Sequence, residues 1–233
     1  MTMNESYTGL RPDLLKHVTK KKCEVLDLGC ATGANGKWLL DFGIATLVEG
    51  VEYDPEMASQ AAKFYHRIYN LDLNSEHALL DAITDKKFDY ILLGDILEHL
   101  HDPWKTLSSA RMLLKPEGNA IISIPNIGHI DTLIHVFIKG YWPYNDRGIF
   151  DRTHLRFFTL QNIKNLVKIA GLEAVVIERN FRYRDALNKE FPFYGVILKS
   201  LFKNLYTFQY ILVCKNSGSP TSDHLPTHSL SHI

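Results

Sequence analysis

Asp95, Glu98 and His99 follow one another closely at the end of an apolar run, residues 88–93, and a histidine beside carboxylates is the set that moves protons near neutrality. In a helical turn Asp95 lies three residues before Glu98 and four before His99, spacings that put it on a shared face with each of them. Glu98 is then expected to orient the imidazole and favour its charged form, which places the ring's titration near or above its ordinary value of about 6.5. A second histidine, His154, sits in Asp151-Arg152-Thr153-His154, with Arg152 and Arg156 as anion anchors or loop ties. His101 is expected to be exposed and inert.

A different chemistry is written in Val25-Leu-Asp-Leu-Gly-Cys-Ala-Thr-Gly33, an apolar strand running into small residues that open a helix. Such a turn brings backbone close to a ligand. About twenty residues on, the run 46–51 ends in Glu52, whose carboxylate can accept the hydrogens of both ribose hydroxyls across the first strand's crevice. An adenosine-containing cofactor is implied. Gly29, Gly33 and Gly36 also read as a dehydrogenase-like glycine series for a nicotinamide, but no Tyr-x-x-x-Lys pair or other hydride-transfer set accompanies them.

These residues need a scaffold that carries strand ends to one edge. Short apolar runs at 24–28, 46–51, 68–71, 88–93 and 119–124 read as buried parallel strands. Helical stretches lie between them at 35–42, 55–66, 75–81 and 103–114, after a first helix starting at Pro12. The alternation resumes with a helix over 160–170, ended by Gly171, and a strand over 173–178; residues 207–214 form a last strand. The fold class is α/β, a doubly wound seven-stranded, mostly parallel sheet.

With 233 residues, 45% hydrophobic and 22% charged, the chain suits one such domain. Lys plus Arg and Asp plus Glu are 26 each, so no net field draws a nucleic acid. Cys23, Cys30 and Cys214 are scattered and odd in number, which fits a reducing cytoplasm. No uncharged run approaches the roughly 18 residues of a spanning helix.

VLDLGCATG, VEGVEYDPEM, the acidic residue of NLDL and FDYILLGDILEHL, in that order, resemble the motifs of class I S-adenosylmethionine-dependent methyltransferases. IPNIGH followed by GIFDRTHLRFFT is similar to a bacterial subgroup related to ubiquinone- and methionine-biosynthesis methyltransferases, frequent among cell-envelope glycan enzymes. The resemblance spans about residues 10–216 and implies S-adenosylmethionine as cofactor, S-adenosylhomocysteine as product and a Rossmann-like methyltransferase sheet whose last strand inserts antiparallel. It implies that Gly29, Ala31 and Gly33 line the methionine part, Glu52 holds the ribose, Asp72 with the Leu73 backbone reads the adenine edge, and Asp27 orients the loop. Cys30, Tyr53, Gly94 and Asp95 complete the expected cofactor shell. Ala31 stands where glycine is commonest; its methyl is a small intrusion provided φ stays negative.

His99 is then the expected general base toward a small-molecule acceptor, with Glu98 its partner and His154 the second candidate; packing or cofactor contact is the other reading of His99. The expected reaction is O-methylation of a sugar or glycoconjugate intermediate. N-methylation of a small amine and a non-catalytic cofactor-binding module are the alternatives. No metal is expected, because His129, Asp131 and His135 lack a further partner and only some share a face. The methyltransferase domain covers 1–216, with insertions at about 125–158 and 181–205 and a disordered tail at 217–233. Residues 130–138, Tyr141, Trp142 and Tyr144, and the stretch 191–205, carry surplus apolar surface and read as lids, a homodimer face or membrane-contacting segments.

Overall fold

A computed structural model describes residues 9–75, 77–185 and 191–217; the expected tail lies almost wholly outside them. Seven strands form one sheet: β1 (Cys23–Leu28), β2 (Ala45–Glu52), β3 (Arg67–Asn70), β4 (Phe88–Gly94), β5 (Leu114–Pro125), β6 (Leu172–Phe181) and β7 (Thr207–Asn216). Their order is β3-β2-β1-β4-β5-β7-β6. β1 pairs in parallel with β2 and β4, while β7 lies antiparallel between β5 and β6. The order reverses between β1 and β4, so the crevice outside their carboxyl ends is where such a sheet receives a ligand.

Both faces of the sheet are covered, as continuous Val, Ile and Leu runs require. On one face Leu14, Leu15, Val25, Leu39, Val48 and Tyr65 pack with α1 (Pro12–Leu15), α2 (Ala34–Asp41) and α3 (Pro55–Ala61). On the other, Leu26, Ile91, Leu107, Ile122, Ile163 and Leu166 pack with α4 (Ala78–Ala82), α5 (Pro103–Met112) and α7 (Leu160–Ile169). The helix starts are chemically marked. Asp54 accepts from the Glu56 and Met57 amides, both at 2.9 Å, with Pro55 at the first helical position. Asp102 and Pro103 repeat the device, and Thr159 with Asn162 forms a capping box.

α3 ends at Ala61 rather than at residue 66 as the periodicity suggests. The chain leaves the helix to drop Tyr65 under β1 and to bond the His66 amide to the Val48 carbonyl, 2.9 Å, at the start of β3. Tertiary packing overrides the local pattern here.

The first insertion contains α6 (Ile130–Thr132), which continues as a single π-helical stretch, Leu133–Ile138. Asn126 fastens its root: its amide donates to the Phe208 carbonyl at 2.8 Å and its side chain to the Asn204 and Thr207 carbonyls. Ile149, Phe150 and Phe208 form a small core of their own, with Trp142 against Phe150 at 5.0 Å. In the second insertion α8 (Phe193–Leu201) and α9 (Lys203–Tyr206) precede β7. Among the described residues no helix is long and apolar enough to cross a membrane.

Candidate active site

The glycine-rich turn is held from beneath. The Gly29 and Cys30 amides donate to the Val51 carbonyl at 2.9 and 3.1 Å, and Gly29 and Gly33 adopt φ of 72° and 85°. A side chain on Gly29 would meet Ile96 at 2.9 Å, so the β1 turn and the turn after β4 touch. A side chain on Gly36 would strike the Tyr65 ring at 2.3 Å. These glycines therefore serve close packing as much as approach to a ligand. Ala31 corrects the sequence expectation: its φ is 46°, in the left-handed region, not negative. Cys30 turns into the core, where burial pushes its thiol up. All three cysteines are buried free thiols.

Asp27 and Tyr65 explain how the turn keeps its shape. The Tyr65 hydroxyl donates to Asp27 Oδ2 at 2.7 Å and accepts from the Gly36 amide at 2.9 Å, so a buried carboxylate reaches the first turn of α2 through one phenol. Burial pushes the Asp27 carboxyl up to about 7, against the Tyr65 bond and with the Glu52 charge. Tyr65→Phe leaves the Gly36 amide without its partner, and a loss of about 1–3 kcal/mol is expected in chemical unfolding. An unchanged midpoint would mean that the phenol is not the bridge.

Because Asp27 has a raised pKa in the fold, its stabilising contribution is complete below the unfolded value of 3.8 and is lost as pH rises through about 7. Asp27→Asn does not titrate. The melting temperature of the wild type is therefore expected to fall relative to Asp27→Asn by about several °C between pH 4 and 7 and to run parallel above that. Parallel curves throughout would place the Asp27 titration elsewhere.

Glu52 faces the same crevice from β2. Its Oε2 accepts from the Ala31 amide at 2.8 Å and its Oε1 from the Asp54 amide at 2.9 Å. A carboxylate has about four lone-pair sites, so each oxygen retains capacity for a further donor such as a ribose hydroxyl. Tyr53 beside it is 71% exposed. Asp72, past β3, accepts through Oδ1 from the Asn74 amide at 2.8 Å and side chain at 3.1 Å. Next to it opens a cavity of about 250 Å³ lined by Leu73, Asn74, His77, His101, Asp102 and Thr106. Turn, carboxylate and cavity fit an adenosine cofactor laid across the ends of β1, β2 and β3.

Asp95, at φ 55°, follows Gly94 and is engaged by protein groups. Arg11 Nη1 donates to it at 2.5 Å and Gln209 Nε2 at 2.6 Å, and Ser123 donates its hydroxyl. Arg11 also pairs with Asp13; burial opposes its charge, yet the Asp95 and Asp13 carboxylates hold it protonated. Sequence reading missed Arg11 and Tyr65. Nothing local marks their roles at the site, since Asp95 lies 84 positions from Arg11 and Asp27 lies 38 from Tyr65.

His99 and His154 meet. The insertion returns over the turn that ends β4, where the Leu155 and Arg156 amides donate to the Glu98 carbonyl at 2.8 and 3.0 Å. The imidazole rings lie 4.8 Å apart at 73°. Thr153 Oγ1 stands 2.6 Å from Asp151 Oδ1 and 3.0 Å from His99 Nδ1. A hydroxyl has one hydrogen; with the Asp151 carboxylate taking it, His99 Nδ1 carries the proton and Nε2 is the basic nitrogen. Burial lowers the His99 pKa, and burial with its neighbour His99 lowers that of His154 to about 4.

Two expectations are corrected here. Asp151 and Thr153, not Glu98, orient His99. Glu98 is buried with its own carboxyl raised by burial and by Asp95, so it does not favour an imidazolium, and His99 titrates below its ordinary value rather than above. The turn bearing them is a single 3₁₀ turn, Leu97–His99. Of the proposed anion anchors, Arg156 donates to the His101 carbonyl and Arg152 to Asp146, so both tie loops. His101 is exposed as expected. His129 and Asp131 are buried and committed to the Arg182 carbonyl and to Arg184.

The seven-stranded order with β7 inserted antiparallel, and a crevice at the β1/β4 reversal that fits an adenosine, are the arrangement of the class I S-adenosylmethionine-dependent methyltransferase fold. A family model described as "Methyltransferase domain" matches residues 3–177, and the chain belongs to that family. The chain is similar to "Phosphoethanolamine N-methyltransferase 2" of Caenorhabditis elegans, 26% identical over 154 residues, 63% of this chain and 31% of that protein. It is also similar to "Ubiquinone biosynthesis O-methyltransferase" of Coxiella burnetii, 29% identical over 113 residues, 48% of this chain and 47% of that one. The chain thus spans less than half the length of these two relatives. Among solved structures it resembles a SAM-dependent methyltransferase from Archaeoglobus fulgidus, with a TM-score of 0.61, 21% identity and 87% and 91% of the two chains covered, a likeness of fold. The nicotinamide reading is set aside by the family.

Proposed function

We propose that the protein transfers a methyl group from S-adenosylmethionine to an oxygen of a small molecule, a sugar or lipid-linked glycan intermediate being the favoured class. The cofactor, once bound, supplies an electrophilic methyl carbon whose bond to sulfur breaks as the acceptor oxygen attacks, leaving S-adenosylhomocysteine. Gly29, Ala31 and Gly33 line its methionine end, Glu52 binds the ribose, and Asp72 with Leu73 borders the adenine. His99 takes the acceptor's proton.

The observation that supports this reading is the Asp151–Thr153–His99 chain on the turn after β4, which puts the imidazole proton on Nδ1 and makes Nε2 the basic nitrogen. A base must be neutral to work, and burial keeps it so at pH 7. Exposed Phe137, Ile138 and Tyr141 of the first insertion, and Phe193, Val196 and Ile197 of the second, give lids that a sugar ring can stack against. The balanced charge and buried free thiols favour work on a small molecule in the cytoplasm.

Purified protein with S-adenosylmethionine labelled in its methyl group is expected to label hydroxylated acceptors and leave nicotinamide cofactors unbound. Label confined to amines would move the assignment to N-methylation. Failure to bind S-adenosylmethionine or S-adenosylhomocysteine would end it.

A further inference from the structure

We propose that Glu98, His99 and His154 form a site for a divalent transition-metal cation, Zn²⁺ being the best match to its donors. Glu98 is 1% exposed, and neither of its carboxyl oxygens has a hydrogen-bond partner among the described residues. Burying such a group unpaired is costly, and folded proteins rarely tolerate it. What faces it is a pair of imidazoles. One ligand atom from each of the three residues lies within 4.8 Å of the others, and His154 Nε2 is 4.0 Å from Glu98 Oε1.

Around a tetrahedral ion with bonds of about 2.1 Å, ligand atoms sit about 3.4 Å apart, so a small rotation of each side chain closes the set. The supports around the histidines are those of metal ligands. His99 is backed by Thr153 and Asp151, and His154 bonds the Ile149 backbone. The insertion is fastened to the Glu98 carbonyl, which fixes the three residues relative to one another. One carboxylate and two imidazoles suit Zn²⁺ or Mn²⁺; Mg²⁺ and Ca²⁺ prefer oxygen-rich shells. Spacing alone marks these residues as candidate proton carriers and not as ligands of one ion, because His154 is 55 positions from His99 in the chain.

The role of the cation rests on the reading of this cluster as the acceptor side of the crevice. Where the cation is bound, His99 is a ligand and the cation activates the acceptor; the metal-free chain keeps His99 as its base. A cation there lowers the pKa of an acceptor hydroxyl in contact with it, and the proton leaves to solvent water.

The test is a calorimetric titration of the chelator-stripped full chain with ZnCl₂, without S-adenosylmethionine or acceptor. One equivalent is expected to bind the wild type and to raise its melting temperature. Glu98→Gln keeps the side chain's shape, and His154→Ala removes the ligand from the insertion. Loss of an outer partner typically costs 10- to 100-fold in metal affinity, so loss of a ligand is expected to cost at least about 100-fold. Melting without zinc verifies that each variant is folded. A wild type that binds less than one equivalent, or variants that bind as the wild type does, overturn the site. Since no methyl donor is present, zinc binding without methyl transfer sustains the site and sinks the enzymatic reading, while the reverse result does the opposite.

Discussion

His99→Ala is expected to lower the rate of methyl transfer about 100- to 10,000-fold while leaving the affinity for S-adenosylhomocysteine nearly unchanged. The ring stands on the turn after β4 and is aimed by Thr153 and Asp151 rather than by any cofactor-facing group. Its removal takes away the proton acceptor, or one ligand of a cation that does the same task, without touching the turn of β1. Single-turnover rates with a saturating acceptor, beside calorimetry with the homocysteine product, separate the two quantities. A rate within about fivefold of wild type would show that proximity alone drives the reaction and that His99 packs the turn. If His154→Ala shows the large loss and His99→Ala weakens cofactor binding, the base belongs to the insertion.

Glu98→Gln then distinguishes the two ways in which His99 can act. The imidazole base survives that change, because Thr153 and not Glu98 fixes its tautomer, so a general-base enzyme keeps most of its rate. A metal-assisted enzyme loses rate together with zinc. The same variant therefore reads both the chemistry and the occupant of the cluster.

The layers of the fold were legible because a buried parallel strand has no polar face: the apolar runs ending at Leu28, Val51 and Leu93 allow little else. Residues just past those strand ends were legible for the same reason, which is why Glu52 and the Gly29–Gly33 turn emerged together. What could not be read was the order in which side chains find distant partners. Tyr65 looks like one more apolar position on a helix, and only the fold turns it toward Asp27. Glu98 and His99 are neighbours in the chain, yet their partners are His154 and Thr153, delivered by an insertion whose path depends on anchors at Asn126 and Phe208. The sign of φ at Ala31 was also hidden, since it follows from the carbonyl of Val51 and the carboxylate of Glu52 gripping either side of the turn.

That grip makes Glu52 the residue whose loss is expected to cost cofactor binding most. Removing hydrogen bonds to a charged group costs about 1.5–3 kcal/mol, which corresponds to roughly 10- to 150-fold weaker binding of S-adenosylhomocysteine by Glu52→Ala. Two effects add in the same direction. The ribose loses its carboxylate, and the Ala31 amide loses the acceptor at 2.8 Å that holds an alanine in the left-handed region, so the turn relaxes away from its binding shape. Glu52→Gln separates them: its carbonyl oxygen can still take one backbone amide, but its NH₂ meets the second amide donor, so it is expected to fall between wild type and Glu52→Ala. The core does not depend on this side chain, and melting should change by no more than about a few °C. Calorimetry with the product checks the order wild type, Glu52→Gln, Glu52→Ala. Equal affinities in all three would take Glu52 out of the site and, with it, the reason for laying an adenosine across the ends of β1 and β2.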